Sequence, residues 1–269
     1  MSGCSTRCGA RSLPQAVTRS WWDAGSALQI LGGVYWELGR LTDGLDLLGP
    51  EVASDKRAGY RDGRAMMLDA IAKINIELGR HVEGLERAER AFALVEDTKR
   101  HWVQSGILNT VATARRRLGQ LDRALQAGEQ ALALAREARF RRAEADSLLC
   151  LSLTYREAGR YDEARTHGEQ ALALARAHSF RVVEGQALTA LCETAEAEEA
   201  HGTAVELGEE ALAVHRGTGH RLGEARTLLA LARAHWKTDG AAAELMRRQA
   251  WAIFSDIGVP ETEYADLDR

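Results

Sequence analysis

Arg116 and Arg156 stand 40 residues apart, each near the end of a helically patterned stretch. Two guanidinium forks in register are matched to carboxylates. An acidic peptide or a peptide C-terminus is the ligand such a pair would take, and neutralisation by glutamates of the same chain is the competing reading. Glu193 and Glu196 form a carboxylate pair at i, i+3, a spacing that more often marks a hydrated helix face than an acid/base couple. The eight histidines are dispersed: His81 and His201 at turns, His178 and His220 between repeats, His235 at a packing position. Cys4 and Cys8 have no further ligand nearby to complete a metal site, while Cys150 and Cys192 fall in apolar stretches as small core residues. The chain contains no His-Glu-x2-His metal motif, no nucleophile elbow, no dinucleotide loop and no phosphate loop. Neither catalysis nor a cofactor is expected.

Composition narrows the class further. With 269 residues and a formal net charge of -4, the chain lacks the basic balance of a nucleic-acid binder and the polybasic segment of a membrane anchor. No apolar run is long enough to span a bilayer, the first twenty residues lack a signal-peptide core, and four cysteines are too few for a disulfide framework. A cytoplasmic protein is expected. Three prolines and abundant alanine point to an almost wholly helical chain.

The elements that position these residues repeat with a fixed period. The octapeptide Glu-Gln-Ala-Leu-Ala-Leu-Ala-Arg occurs at Glu129 to Arg136 and again at Glu169 to Arg176. In rows of 40, Gly39, Gly79, Gly119 and Gly159 share one column, where glycine ends a helix in the left-handed conformation. Each row therefore divides into two helices. The first carries pairs such as Leu148 and Leu151; the second carries a stripe such as Ala124, Gly128, Ala131, Leu132 and Ala135. Gly128, Gly168 and Gly208 recur mid-helix, where glycine costs about 1 kcal/mol against alanine. Close approach of a neighbouring helix is the compensating gain expected there. Two irregularities predict local departures: Gly49-Pro50 should shorten or bend the second helix of the first repeat, and Glu199 in the glycine column, with Gly202 following, should displace the fifth turn.

Leu28-x2-Leu31-Gly32-x2-Tyr35 followed by Gly44, and Leu148-x2-Leu151-Ser152-x2-Tyr155 followed by Ala164 and Ala171, resemble the tetratricopeptide signature. Repeats of 40 residues are similar to those of Pins/LGN adaptors and kinesin light chains, and above all to the arrays of actinobacterial AfsR/SARP-like and LuxR-type regulators. The resemblance implies an all-α, right-handed α-solenoid of about six helix pairs over residues 21–257, with repeats near 25–57, 61–98, 101–138, 141–178, 181–218 and 221–257. Residues 1–20 form an N-terminal extension and 258–269 a cap or tail.

Family geometry further implies that the first helix of each repeat builds a concave groove. It places there Gln29, Gly33 and Trp36; Asp69, Lys73 and Ile76; Asn109, Thr113 and Arg116; Leu149, Leu153 and Arg156; Thr189, Glu193 and Glu196; and Leu229, Arg233 and Trp236. Trp36 and Trp236 would flank its two ends, and Arg116 and Arg156 would project from its surface. The octapeptide lies in second helices, on the convex side. The expected function is a scaffold or adaptor holding a peptide or protein segment, acidic where it meets the arginines, in a bacterial regulatory system. The alternative is a sensor array whose superhelix changes on binding a small molecule or signalling peptide. Residues 101–160 carry a charge of +4 and residues 181–220 one of -6, so self-association, basic middle against acidic end, is a further contact the pattern allows.

Overall fold

The computed structural model describes residues 31–32, 34–36, 39–54 and 61–265. Among them every regular element is a helix. Helical residues at 31–32 and 34–36 precede α1 (Leu41–Ser54), and five further pairs follow: α2 (Arg61–Glu77) with α3 (His81–Ala93), α4 (His101–Arg117) with α5 (Leu121–Glu137), α6 (Arg141–Glu157) with α7 (Tyr161–Ala177), α8 (Arg181–Ala197) with α9 (His201–Thr218), and α10 (Arg221–His235) with α11 (Gly240–Asp256). A short α12 (Glu261–Ala265) closes the described chain.

The turns inside the first four pairs share one construction. Gly39, Gly79, Gly119 and Gly159 have φ between 72° and 75°. The amide after each glycine donates back to a carbonyl five residues earlier, as from Arg80 to Asn75 at 2.8 Å and from Gln120 to Arg115 at 2.9 Å, which satisfies a carbonyl the helix end would otherwise leave free. The fifth turn is not displaced. Glu199 itself takes φ 59°, Ala200 N donates to Ala195 O at 2.8 Å, and Gly202 lies inside α9. The flanking helices fix the turn, and the side chain accepts a conformation that costs about 1–2 kcal/mol. Nor does Pro50 interrupt α1, which stays helical through Gly49-Pro50 and is short, at 14 residues against 17 for α5 and α7.

The mid-helix glycines mark close contacts between repeats. A Cβ on Gly128 would stand 2.8 Å from Leu151, on Gly168 2.8 Å from Leu191, and on Gly208 2.5 Å from Leu231. The three leucines occupy one column of the following repeat's first helix. The second helices α5 and α7 otherwise bury a narrow stripe of mostly small residues, such as Ala124, Ala131 and Ala135 in α5, with one leucine each, Leu132 and Leu172, and lie in the outer layer. The first helices α4, α6, α8 and α10 bury far more and form the inner layer.

The inner layer closes on itself. Leu41, Ile74 and Leu78 from the first two repeats share one buried cluster with Leu222, Leu228, Phe254 and Ile257 from the sixth. Arg226 of α10 donates to Glu77 of α2 at 2.6 Å, the Trp36 ring stands edge-on to His220 at 6.4 Å, and His81 meets Glu263 at 3.2 Å. The described repeats thus form a ring rather than an open groove.

Candidate functional site

One cavity of about 430 Å³ occupies the middle of the ring, lined by residues from the first helix of all six repeats, from Gly32 and Trp36 through to Gln186 and Arg226. A smaller space of about 100 Å³ adjoins it and shares Arg116, Arg117, Leu149, Leu153, Gln186 and Arg226. The inner helices run along this space, so their N-terminal halves bring Met66 and Trp102, the residue capping α6 brings Phe140, and their C-terminal ends bring arginines and glutamates.

The groove positions named from the sequence divide between these spaces. Trp36, Asp69, Lys73, Ile76, Asn109, Thr113, Arg116, Leu149 and Leu153 line the larger one. Arg156, Thr189, Glu193, Leu229 and Arg233 line the smaller one. Glu196 lines neither but stands 3.6 Å from Arg233. Trp236 is 64% exposed and belongs to neither space, so it does not flank the site. Trp36 does not mark a free end, because ring closure brings it against His220. Gln29, Gly33, Cys4 and Cys8 lie outside the described residues.

Arg116 and Arg156 do not project freely. Arg116 is 7% exposed and donates to Glu157, while Arg156 lies 3.1 Å from Glu193 and 3.9 Å from Glu157. Arg233 continues the ladder, 3.8 Å from Glu193. The fourth and fifth repeats supply these counter-charges, so the chain neutralises the arginines that were expected to meet an acidic ligand. Burial alone would depress the Arg116 guanidinium, but Glu157 holds it above its ordinary range. Burial would likewise raise the Glu193 carboxyl, yet Arg156 and Arg233 keep it below the usual carboxylate range.

The opposite half of the cavity is paired within its own helices. Lys73 meets Asp69 at 2.8 Å, and Arg142 meets Asp146 at 3.1 Å. Asn109 donates to Ser147 Oγ at 3.0 Å across adjacent inner helices. Three polar atoms here, Trp36 Nε1, Asp69 Oδ1 and Asn109 Oδ1, are buried and make no hydrogen bond within the protein.

The sequence reading missed a whole column. Met66, Gly106, Asp146, Gln186 and Arg226 each lie two residues before the first large signature residue and all line the cavity. The same helical stripe continued one turn upstream, in steps of three and four, would have found them. Among the described residues no group of three or more His, Cys, Asp or Glu side chains could hold a metal ion, and no helix is long and apolar enough to cross a membrane. Cys150 and Cys192 are buried thiols, the latter pushed by its burial up to about 12.

Residues 104–177 match the family described as tetratricopeptide repeat. The described chain is an all-α solenoid of paired helices, and the match over its middle repeats agrees with the tetratricopeptide signature read from the sequence, while the finer likeness to AfsR/SARP-like and Pins/LGN arrays finds no support. No curated protein matches it in sequence. Among solved structures it is similar to a Rap protein complexed with competence and sporulation factor, with a TM-score of 0.75 at 14% identity, covering 89% of this chain and 65% of that one. NprR in complex with its cognate peptide NprX gives 0.69 at 14% identity, over 95% of this chain and 76% of that one. The repeats of a putative kinesin light chain from Podosopora anserina give 0.53 at 22% identity, over 74% and 98%. At these identities the likeness is one of fold.

Proposed function

We propose that this chain binds a short extended peptide within the ring of inner helices, as a binding module of a bacterial regulatory system and not as an enzyme. The observation that carries the reading is the cavity itself, to which the first helices of all six repeats contribute. Its wall mixes polar side chains such as Asp69, Asn109 and Thr113 with apolar ones such as Met66, Trp102 and Ile107, and a peptide offers backbone donors and acceptors along its whole length together with side chains of both kinds. The volume of about 430 Å³ falls within the range of ligand-binding clefts. Two proteins of similar fold, Rap and NprR, are complexed with competence and sporulation factor and with the cognate peptide NprX respectively, which supports a peptide over a folded partner.

A responsive role is the second reading, and one feature favours it. Arg226 and Glu77, which join the sixth repeat to the second, both line the cavity. A ligand there touches the closure of the ring, so its binding energy can bias how tightly the ring shuts.

Gly106 provides the test. It lies mid-helix in α4 on the cavity wall, and a Cβ there would meet nothing within 4 Å. Gly106→Leu should raise stability by about 1 kcal/mol through helix propensity while filling the space. Affinity selection from a random hexapeptide pool, read by mass spectrometry, should retain peptides on the wild-type chain and none on Gly106→Leu. Equal retention by both would place the binding surface elsewhere.

A further inference from the structure

The arginines at the C-terminal ends of the inner helices are not all matched. Arg116 has Glu157, Arg156 has Glu193, Arg226 has Glu77, and Arg233 has Glu193 and Glu196. Five arginines thus face four glutamates, and the unmatched one is Arg117. Among the described residues no carboxylate lies within ion-pair distance of it, and its Nε is buried without a hydrogen bond. Arg117 lines both the larger and the smaller space, at their junction.

Its neighbours in the run show why it points inward. Arg115 reaches outward to Glu89 at 3.0 Å, and Arg116 joins the ladder of inner helices. Successive residues of a helix are rotated by about 100°, so Arg117 is turned to the cavity. Burial and the adjacent Arg226 and Arg116 press its guanidinium down to about 10, which still leaves it charged at neutral pH. Arg117 is half-buried, and a cation held at such a place without a partner is disfavoured, so a charged acceptor in the cavity would relieve it.

We infer that Arg117 receives a single carboxylate of the bound peptide, through the two-pronged hydrogen bonding that a guanidinium offers. The inference rests on the peptide reading above and gives the ligand a polarity along the cavity. Trp102, at the other end of α4, lies about 22 Å from Arg117 at the helical rise, a span of about six extended residues. Trp102 and Phe140 stack edge-to-face there, ring centroids 5.8 Å apart, and are 39% and 44% exposed. The charged group sits at Arg117 and an apolar side chain at the aromatic pair. Either a peptide C-terminus or an Asp or Glu side chain supplies the carboxylate.

Three random hexapeptide pools distinguish the possibilities on the full chain: free C-terminus without Asp or Glu, amidated without Asp or Glu, and amidated with both. The free-acid pool should be retained about tenfold or more above the amidated acid-free pool, as expected for hydrogen bonds to a charged group. Retention of the acid-containing amidated pool above the acid-free one supports a side-chain carboxylate at the same arginine. Arg117→Gln should erase either preference without lowering the melting temperature, and Arg117→Lys should keep part of it. Equal retention of all three pools, or a preference that survives Arg117→Gln, overturns the inference and leaves peptide binding standing. Retention of none of the pools overturns both.

Discussion

His215 and His220 show how a residue's environment, more than its type, sets its chemistry. Both are almost wholly buried, at 0% and 3% exposure, with Nδ1 atoms 3.3 Å apart. Gly223 N donates to His220 Nδ1 at 3.2 Å and so caps α10. His220 Nδ1 is therefore an acceptor. Burial lowers His215 to about 4, and burial together with His215 lowers His220 to about 3. A histidine depressed in the folded state binds protons more readily when unfolded, so it favours the fold above the unfolded value near 6.5. That contribution should decline as pH falls from about 6.5 toward 4, by an amount on the order of 3 kcal/mol for each histidine. Melting temperatures measured between pH 7.5 and pH 4 should fall less steeply for His220→Asn than for the wild-type chain, because asparagine can still cap but cannot titrate; parallel curves would exclude the pair as the cause. The sequence put His220 between repeats, which is where it lies, but gave no sign that His215 would meet it. Likewise Arg116 and Arg156 were visible as a column, whereas their partners Glu157 and Glu193 sit one repeat onward and became partners only through packing.

At the scale of the element, the helix pairs were readable because their punctuation is local. A glycine with φ near 72° must be glycine or something willing to bear strain, so the column at Gly39, Gly79, Gly119 and Gly159 marked four turns directly. Glu199 escaped because the same conformation is imposed there by the helices on either side. Glu199→Gly should therefore stabilise the chain by up to about 1 kcal/mol, the relief of left-handed strain less the extra entropy of an unfolded glycine. A melting temperature that fell would mean that the Glu199 side chain contributes contacts outweighing its backbone. The mid-helix glycines read correctly as close contacts for the same reason: each faces a leucine of the next repeat's signature column, so both halves of the contact were written in the period. Gly49-Pro50 read correctly in length, since α1 is short at 14 residues, although it stays helical through the pair.

Closure of the ring belongs to the whole molecule and has no local signature. A period of 40 residues defines the unit but not the small rotation between units, and that rotation, summed over the array, decides whether the ends meet. Hence the inner-helix column was largely found while the cavity it encloses was not, and Trp36 and Trp236 were set at opposite ends. Arg226→Glu should open the seam by placing a second carboxylate against Glu77, which is 8% exposed. Small-angle X-ray scattering should then report a larger radius of gyration, and adding Glu77→Arg should recover most of the compaction. A radius unchanged by Arg226→Glu would assign the closure to the apolar cluster of Leu41, Ile74, Leu222 and Phe254 alone.

The joined ends also change how the molecule comes apart. A linear stack frays, because a terminal unit has one neighbour and can melt while the rest stands. Here the sixth unit leans on the first two through Leu41, Ile74 and Ile257, and α12 reaches back to His81. Every described unit therefore has neighbours on both sides, as sites on a circle do, and releasing any one means breaking two junctions. Such an array has no weak rim from which to unravel, and its loss of structure is concerted rather than progressive.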